Sequence, residues 1–321
     1  MKTTELRGVS FPVPKFCFGC AFLGNTIPEE TSFEILDTFY AHGGRFFNTS
    51  HAYGDGKSEE TLGRWIRQRG LQNQVLVTTK CGEDRRFPLR CQDLRAPALR
   101  LHITESLDRL MLDHVDFFLL HVDDNRTGVD EILETLEELV KEGKIRHYGC
   151  SNWSIARQRD AALYARLRGY QGFVMDEIEF HMTRSNLTNR DTSMWLDESY
   201  IAFHEEDGVC VAGYSPLASG CLSKLAQDGD TRNFRPLADR FLNAYTYEVA
   251  KRLRTLSKET GWSVTQLQLA WLLDPPYQFP SFLILGASKP AQLEDSMRAF
   301  EVKLTPDMIA YLHPPFEDYP D

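Results

Sequence analysis

Short apolar runs alternate with stretches of helical spacing along the whole 321-residue chain, and that alternation restricts the fold more than any other feature. The runs cover residues 16–20, a short strand ending at Phe47, then 75–79, 115–120, 144–150, 173–180, 209–214 and 282–286. Between them, apolar residues spaced three and four apart predict helices over 29–41, 61–68, 97–111, 129–141, 156–167, 193–206, 244–260, 264–273 and 290–300, with a short one after Pro306. Strands this apolar are buried on both faces, which implies parallel pairing through right-handed helical crossovers. Eight such units close most economically into an α/β fold, a single (β/α)8 TIM barrel. An open doubly wound sheet lacks support because no Gly-x-Gly-x-x-Gly follows the first strand. Gly8, Pro12 and Pro14 break the pattern within residues 5–24, which predicts an N-terminal β-hairpin ahead of the first strand.

Composition agrees with one large domain over residues 1–321. Hydrophobic residues at 42% and charged residues at 26% permit an extensive core. A net charge of -10 disfavours a nucleic-acid partner. No apolar run approaches the roughly 20 residues of a membrane helix, and the N-terminus lacks a signal-like apolar stretch. These features point to a cytoplasmic protein without membrane contact, with its oligomeric state open. The 7 cysteines are scattered, as reduced thiols would be, and Cys17-x-x-Cys20 has no second pair at zinc spacing. Residues 218–243 form the longest irregular stretch and a candidate lid.

Asn48, Lys80, His121, Ser151, Asn152, Glu177 and Tyr214 all fall at C-terminal ends of predicted strands. In a barrel those ends face one bowl. Beside the bowl lies the stretch Phe46-Phe47-Asn48-Thr49-Ser50-His51-Ala52-Tyr53-Gly54-Asp55-Gly56-Lys57-Ser58-Glu59-Glu60, which reads as a strand, a loop presenting Tyr53, and a helix start.

That stretch resembles the aldo-keto reductase signature, with Asn48 where the family has an aspartate. Further motifs follow in order: Lys80, His121, Gly149-x-Ser151-Asn152, Tyr214-Ser215-Pro216-Leu217 and Gly286-Ala287-Ser288-Lys289-x-x-Gln292. The resemblance implies an NADP(H)-dependent oxidoreductase moving a hydride between nicotinamide and a small carbonyl or alcohol. It implies Tyr53 as general acid and base, Lys80 lowering the tyrosine pKa, and His121 orienting the carbonyl. It further implies that Ser151 and Asn152 hold the carboxamide, Tyr214 stacks on the ring, Ser215 and Leu217 lie along the pyrophosphate, and Gly286, Ser288, Lys289 and Gln292 take the adenosine end. The cation and hydroxyl at Lys289 and Ser288 favour a 2′-phosphate, hence NADP(H) over NAD(H).

Two positions depart from the family. Asn48 leaves Lys80 without its usual carboxylate, and Glu177 replaces a glutamine that contacts the carboxamide, although an ionised glutamate can only accept hydrogen bonds. The pair predicts a negative charge moved from the lysine to the nicotinamide, with activity reduced or biased toward oxidation. A non-catalytic, nucleotide-sensing regulatory subunit is the competing reading. A substrate pocket from Phe22, His51, Asp123 and Trp153 would suit a sugar, polyol or functionalised ketone. Asp123, Asp124, Glu177 and Glu179 could alternatively supply a glycosidase carboxylate pair, and His51, His121 and His181 a metal site. The ordered reductase motifs outweigh both.

Overall fold

A computed structural model describes residues 1–84, 91–186, 194–228 and 238–315. Eight strands form the closed barrel: β1 (Phe16–Gly19), β2 (Phe46–Asn48), β3 (Leu76–Cys81), β4 (Val115–Leu120), β5 (Ile145–Ser151), β6 (Met175–Glu179), β7 (Cys210–Tyr214) and β8 (Ser281–Leu285). Each pairs in parallel with its successor, and β8 pairs with β1 through Leu283 opposite Phe16, which closes the ring. The (β/α)8 barrel predicted from the alternation is therefore the fold.

Helices α1 (Glu29–Ala41), α2 (Lys57–Arg69), α3 (Ala96–Leu110), α4 (Val129–Lys141), α5 (Ile155–Arg168) and α6 (Glu198–Asp207) follow the first six strands. After β7 come α7 (Cys221–Asp228), α8 (Ala238–Phe241), α9 (Ala244–Thr260) and α10 (Val264–Leu273), and β8 leads into α11 (Pro290–Met297) and α12 (Pro306–Leu312). The N-terminal hairpin pairs Thr3–Thr4 with Val13–Pro14, so its first arm precedes the stretch in which the sequence pattern begins. Helix α2 starts a full turn earlier than its apolar spacing suggests, because Gly56 at φ 91° turns the chain directly into it. Helix α7 occupies part of the stretch expected to be irregular, and residues 229–237 of that candidate lid lie outside the described residues, as does Ser193 ahead of α6.

The pleat sorts the strand side chains into two layers. Cys17, Phe46, Phe117, Leu119, Met175, Ala212, Phe282 and Ile284 fill the barrel interior, whose lower end is closed by Leu6 and Val13 of the hairpin region. Their neighbours Phe16, Phe18, Phe47, Phe118, Leu120, Leu283 and Leu285 point outward into the helix layer, among Ile35, Leu36, Trp65, Ile103 and Leu136. This alternation positions the site. Asn48 lies two residues beyond inward Phe46, Lys80 pairs with inward Leu119, and Glu177 pairs with inward Ala212. All three therefore project into the top of the barrel from different strands.

Helices α2 and α3 approach closely at Gly63, where an added Cβ would lie 2.5 Å from the Arg109 carbonyl oxygen and 2.6 Å from that of Leu110. Backbone atoms cannot move aside as a flexible side chain would. Gly63→Ala is expected to lower stability by about 1–3 kcal/mol, despite the better helix propensity of alanine. A urea denaturation series on the variant would read this as a lower midpoint at unchanged slope.

Candidate active site

Lys80 is the centre of the bowl. Its side chain is fully buried at the end of β3, and its ammonium donates to Asn48 Oδ1 at 2.7 Å, the Thr49 carbonyl at 3.1 Å and the Tyr53 hydroxyl at 3.0 Å. Glu177 Oε1 lies 3.3 Å away, across the barrel on β6. The other carboxylate oxygen, Oε2, accepts from Asn48 Nδ2 at 2.7 Å. The amide of Asn48 thus bridges the ammonium and the carboxylate, presenting its oxygen to one and its nitrogen to the other.

This arrangement corrects one expectation and qualifies another. The negative charge has not moved away from Lys80 toward a nicotinamide site, since both oxygens of Glu177 are engaged by Lys80 and Asn48 and the residue is only 3% exposed. Lys80 lowers the Tyr53 pKa as expected, yet the phenol as a whole stands above its ordinary 10.0. Burial dominates that shift, and the charges of Glu177 and Glu83 add to it, while Lys80 pulls the other way without overcoming them. For Lys80 burial pushes the pKa down, but Glu177 and Tyr53 more than offset it, leaving the ammonium above its ordinary 10.5.

His121 follows β4, and its ring stands nearly perpendicular to Tyr53, with centroids 5.6 Å apart at 84°. Its Nδ1 lies 3.3 Å from Ser50 Oγ and 3.3 Å from Glu83 Oε2. Glu83 is a neighbour that the sequence reading passed over, although a carboxylate just beyond β3 meets the same rule that selected Lys80. The loop carrying Tyr53 is held from below. His51 gives Nε2 to Glu105 at 2.6 Å and stacks on His102 at 4.3 Å, while Arg109 reaches both Glu105 and the buried Glu59. Glu59 in turn accepts from Thr79 Oγ1, next to Lys80 in β3.

Those contacts remove most of the expected substrate pocket. His51 is 5% exposed and committed to Glu105. Trp153 is completely buried, its ring in a T-shaped contact with Phe173 in the helix layer. Asp123 is clamped by the Arg157 guanidinium at 2.9 and 3.0 Å. Phe22, 60% exposed in the loop after β1, is the one residue of the four that presents a surface to solvent. Ion pairs also account for the carboxylates considered as a glycosidase pair: Glu177 faces Lys80, Glu179 faces Arg240, Asp123 faces Arg157 and Asp124 faces Arg126. Among the described residues, no three His, Cys, Asp or Glu side chains gather as a metal site.

The remaining predicted residues line the rim beside β5, β7 and β8. Ser151 Oγ donates to the Glu177 carbonyl at 2.8 Å. Asn152, at φ 57°, donates through Nδ2 to Ser151 Oγ and accepts at Oδ1 from the Tyr214 hydroxyl at 3.0 Å and the Met194 amide at 2.9 Å. Ser215, at φ 53°, is exposed after β7, and Leu217 is half-buried beyond it. After β8, an added Cβ at Gly286 would meet nothing within 4 Å, and exposed Ser288 and Lys289 stand at the N-terminus of α11, with Gln292 accepting from the Ser288 hydroxyl at 3.0 Å. An open glycine, exposed hydroxyls, a lysine and a helix N-terminus together fit the phosphates of a dinucleotide. Buried Ser296 turns its hydroxyl back to the Gln292 carbonyl at 2.9 Å.

The sequence model of the Aldo/keto reductase family matches residues 15–314. An aryl-alcohol dehydrogenase (NADP(+)) of Phanerodontia chrysosporium is 28% identical, over 90% of this chain and 76% of its own length. Bacillus subtilis YrpG, described as an uncharacterized oxidoreductase, is 29% identical over 98% of this chain and 95% of its own. The norsolorinic acid reductase stcV of Emericella nidulans is 28% identical over 92% and 76%.

Burial raises the pKa of Cys17 and Cys20, just below the bowl, as it does that of Tyr53, and Lys80 is also raised. In each case the folded protein holds its proton more tightly than the unfolded chain. The stability these groups contribute is fully present below the ordinary thiol value of 9.0 and is lost as pH climbs toward the folded values. Chemical denaturation is therefore expected to show stability falling between about pH 9 and about pH 11, with a smaller fall in Tyr53→Phe.

Proposed function

The chain belongs to the Aldo/keto reductase family, and on that premise we propose that its bowl carries NADP(H)-dependent exchange of a hydride between nicotinamide and a carbonyl or alcohol. The observation that carries this reading is the contact of the Tyr53 hydroxyl with the Lys80 ammonium at 3.0 Å, with the His121 ring 5.6 Å from the phenol ring. The cofactor, when bound, supplies or accepts the hydride. Tyr53 gives its proton to the carbonyl oxygen as negative charge develops there, and takes a proton back in the oxidative direction. Lys80 stabilises the phenolate left behind, a task that matters more because burial and Glu177 disfavour that phenolate. His121 donates to the same substrate oxygen and fixes its orientation.

Ser151 and Asn152 would hold the carboxamide, with Asn152 giving up part of its present bonding to do so. Tyr214 would cover the ring, Ser215 and Leu217 would border the pyrophosphate, and Gly286, Ser288, Lys289 and Gln292 would take the adenosine end. Glu177 is not counted among these, because its carboxylate is already committed. The exposed cation at Lys289 favours the extra phosphate of NADP(H) over NAD(H). We further read the whole chain as one barrel domain working in the cytoplasm; among the described residues no helix is long and apolar enough to cross a membrane.

The substrate class follows a different argument from the one the sequence suggested. The polar pocket that favoured sugars or polyols rested on His51, Asp123 and Trp153, which are buried or ion-paired. Relatives named for aryl alcohols and norsolorinic acid favour an aromatic aldehyde, ketone or benzylic alcohol instead. The sensor reading loses its main motive, since the carboxylate missing at position 48 is supplied by Glu177.

A panel of aromatic carbonyls, sugars and polyols, followed by loss of NADPH absorbance, tests the proposal. Turnover of an aromatic carbonyl is expected, with Tyr53→Phe lowering kcat by about 100-fold to about 10,000-fold. No turnover in either direction across the panel would count against it. Lys289→Ala is expected to reduce the preference for NADPH over NADH about tenfold in kcat/KM, as loss of a charge-assisted phosphate contact does.

A further inference from the structure

We infer that Glu177 is the positioning counter-ion of Lys80, and that Asn48 and Glu177 form one transposed unit in which amide and carboxylate have exchanged places across the barrel. The inference rests on the reading of Tyr53 and Lys80 as proton donor and supporting cation. It goes beyond that reading in giving Glu177 a role through Lys80 rather than at the cofactor.

The geometry is specific. Positions 48 and 177 lie on opposite strands, β2 and β6, yet their side chains meet at 2.7 Å beside the same ammonium. Asn48 accepts from Lys80 and donates to Glu177, so each end of its amide has one fitting partner. Reversing the two residue types keeps a partner for each group. An aspartate at position 48 would accept from Lys80 with one oxygen, and with the other from the amide nitrogen of a glutamine at position 177.

Charge makes the two positions interdependent. All three side chains are buried, with Lys80 at 0% and Asn48 and Glu177 each at 3% exposure. The present pair gives one carboxylate to one ammonium. Glu177→Gln alone leaves a buried cation without a counter-ion, and Asn48→Asp alone sets two carboxylates around one cation; both are costly in a dry interior. The double exchange restores neutrality. Other ionisable groups facing this centre are the Tyr53 phenol, Glu83 and His121 from the rim, Cys17 from β1, and Cys20 just after it. The exchange alters none of them.

The test follows Tyr53 ionisation by phenolate ultraviolet absorbance in cofactor-free protein, assigned by subtracting the matching Tyr53→Phe background. Glu177→Gln is expected to lower the midpoint by about one pH unit or more, because the first proton then leaves the Lys80–Tyr53 pair more readily. Asn48→Asp is expected to raise it by a comparable amount, and N48D/E177Q to return within about half a unit of the parent. In urea denaturation the double variant is expected to be more stable than either single one. Midpoints unmoved by the single changes, or a double variant whose stability losses simply add, would overturn the inference. If E177Q fails to fold, N48D and the double variant give the same decision. Both readouts need neither substrate nor cofactor, so a failure of the reductase reading would leave this result standing and be separately visible.

Discussion

A lysine ammonium buried at the top of a barrel is costly unless its surroundings carry matching charge and acceptors, and the bowl is organised around meeting that demand. Lys80 draws on β2 through Asn48, on the following loop through the Thr49 carbonyl and Tyr53, and on β6 through Glu177. Strands that are distant in sequence are thereby tied together at one atom. The reactive geometry and the satisfaction of the buried charge come from the same contacts.

Supporting layers hold that centre in place. Inside the barrel, Phe117 and Phe282 both pack against Phe46 beneath the polar layer, with ring centroids 5.6 and 5.2 Å from it. A close-packed aromatic floor resists displacement of the residues above it. Outside, Glu105, Arg109 and Glu59 form a charged brace from α3 to α2 that reaches the Tyr53 loop through His51 and reaches β3 through Thr79. The brace lies between helices and strands rather than at the rim. Its members look functional by residue type and are structural by position.

That distinction explains what could be read from the sequence. The barrel was legible because strand and helix periodicities alternate without interruption, and α1, α4, α9 and α10 have the boundaries their spacing predicts. Asn48, Lys80 and His121 followed from position at strand ends, and Tyr53 from the resemblance of its loop to the family signature. Partnership across the barrel was not legible, since nothing local tells residue 177 that its neighbour is residue 48. The pocket residues went wrong for a related reason. His51 and Trp153 lie just beyond strand ends, where the loop turns their side chains into the helix layer rather than the bowl. The direction of the Tyr53 shift was also beyond sequence, because it depends on how burial and two carboxylates weigh against one cation.

The most direct measurement of the central claim is a titration of the full chain with NADPH and with NADP+, followed by quenching of its tryptophan fluorescence. Saturable binding of both forms is predicted, with comparable affinities, because the Glu177 charge is already matched by Lys80 and does not single out the oxidised ring. Absence of binding by NADP(H) and NAD(H) alike would contradict the account, and the bowl around Lys80 would then serve other chemistry.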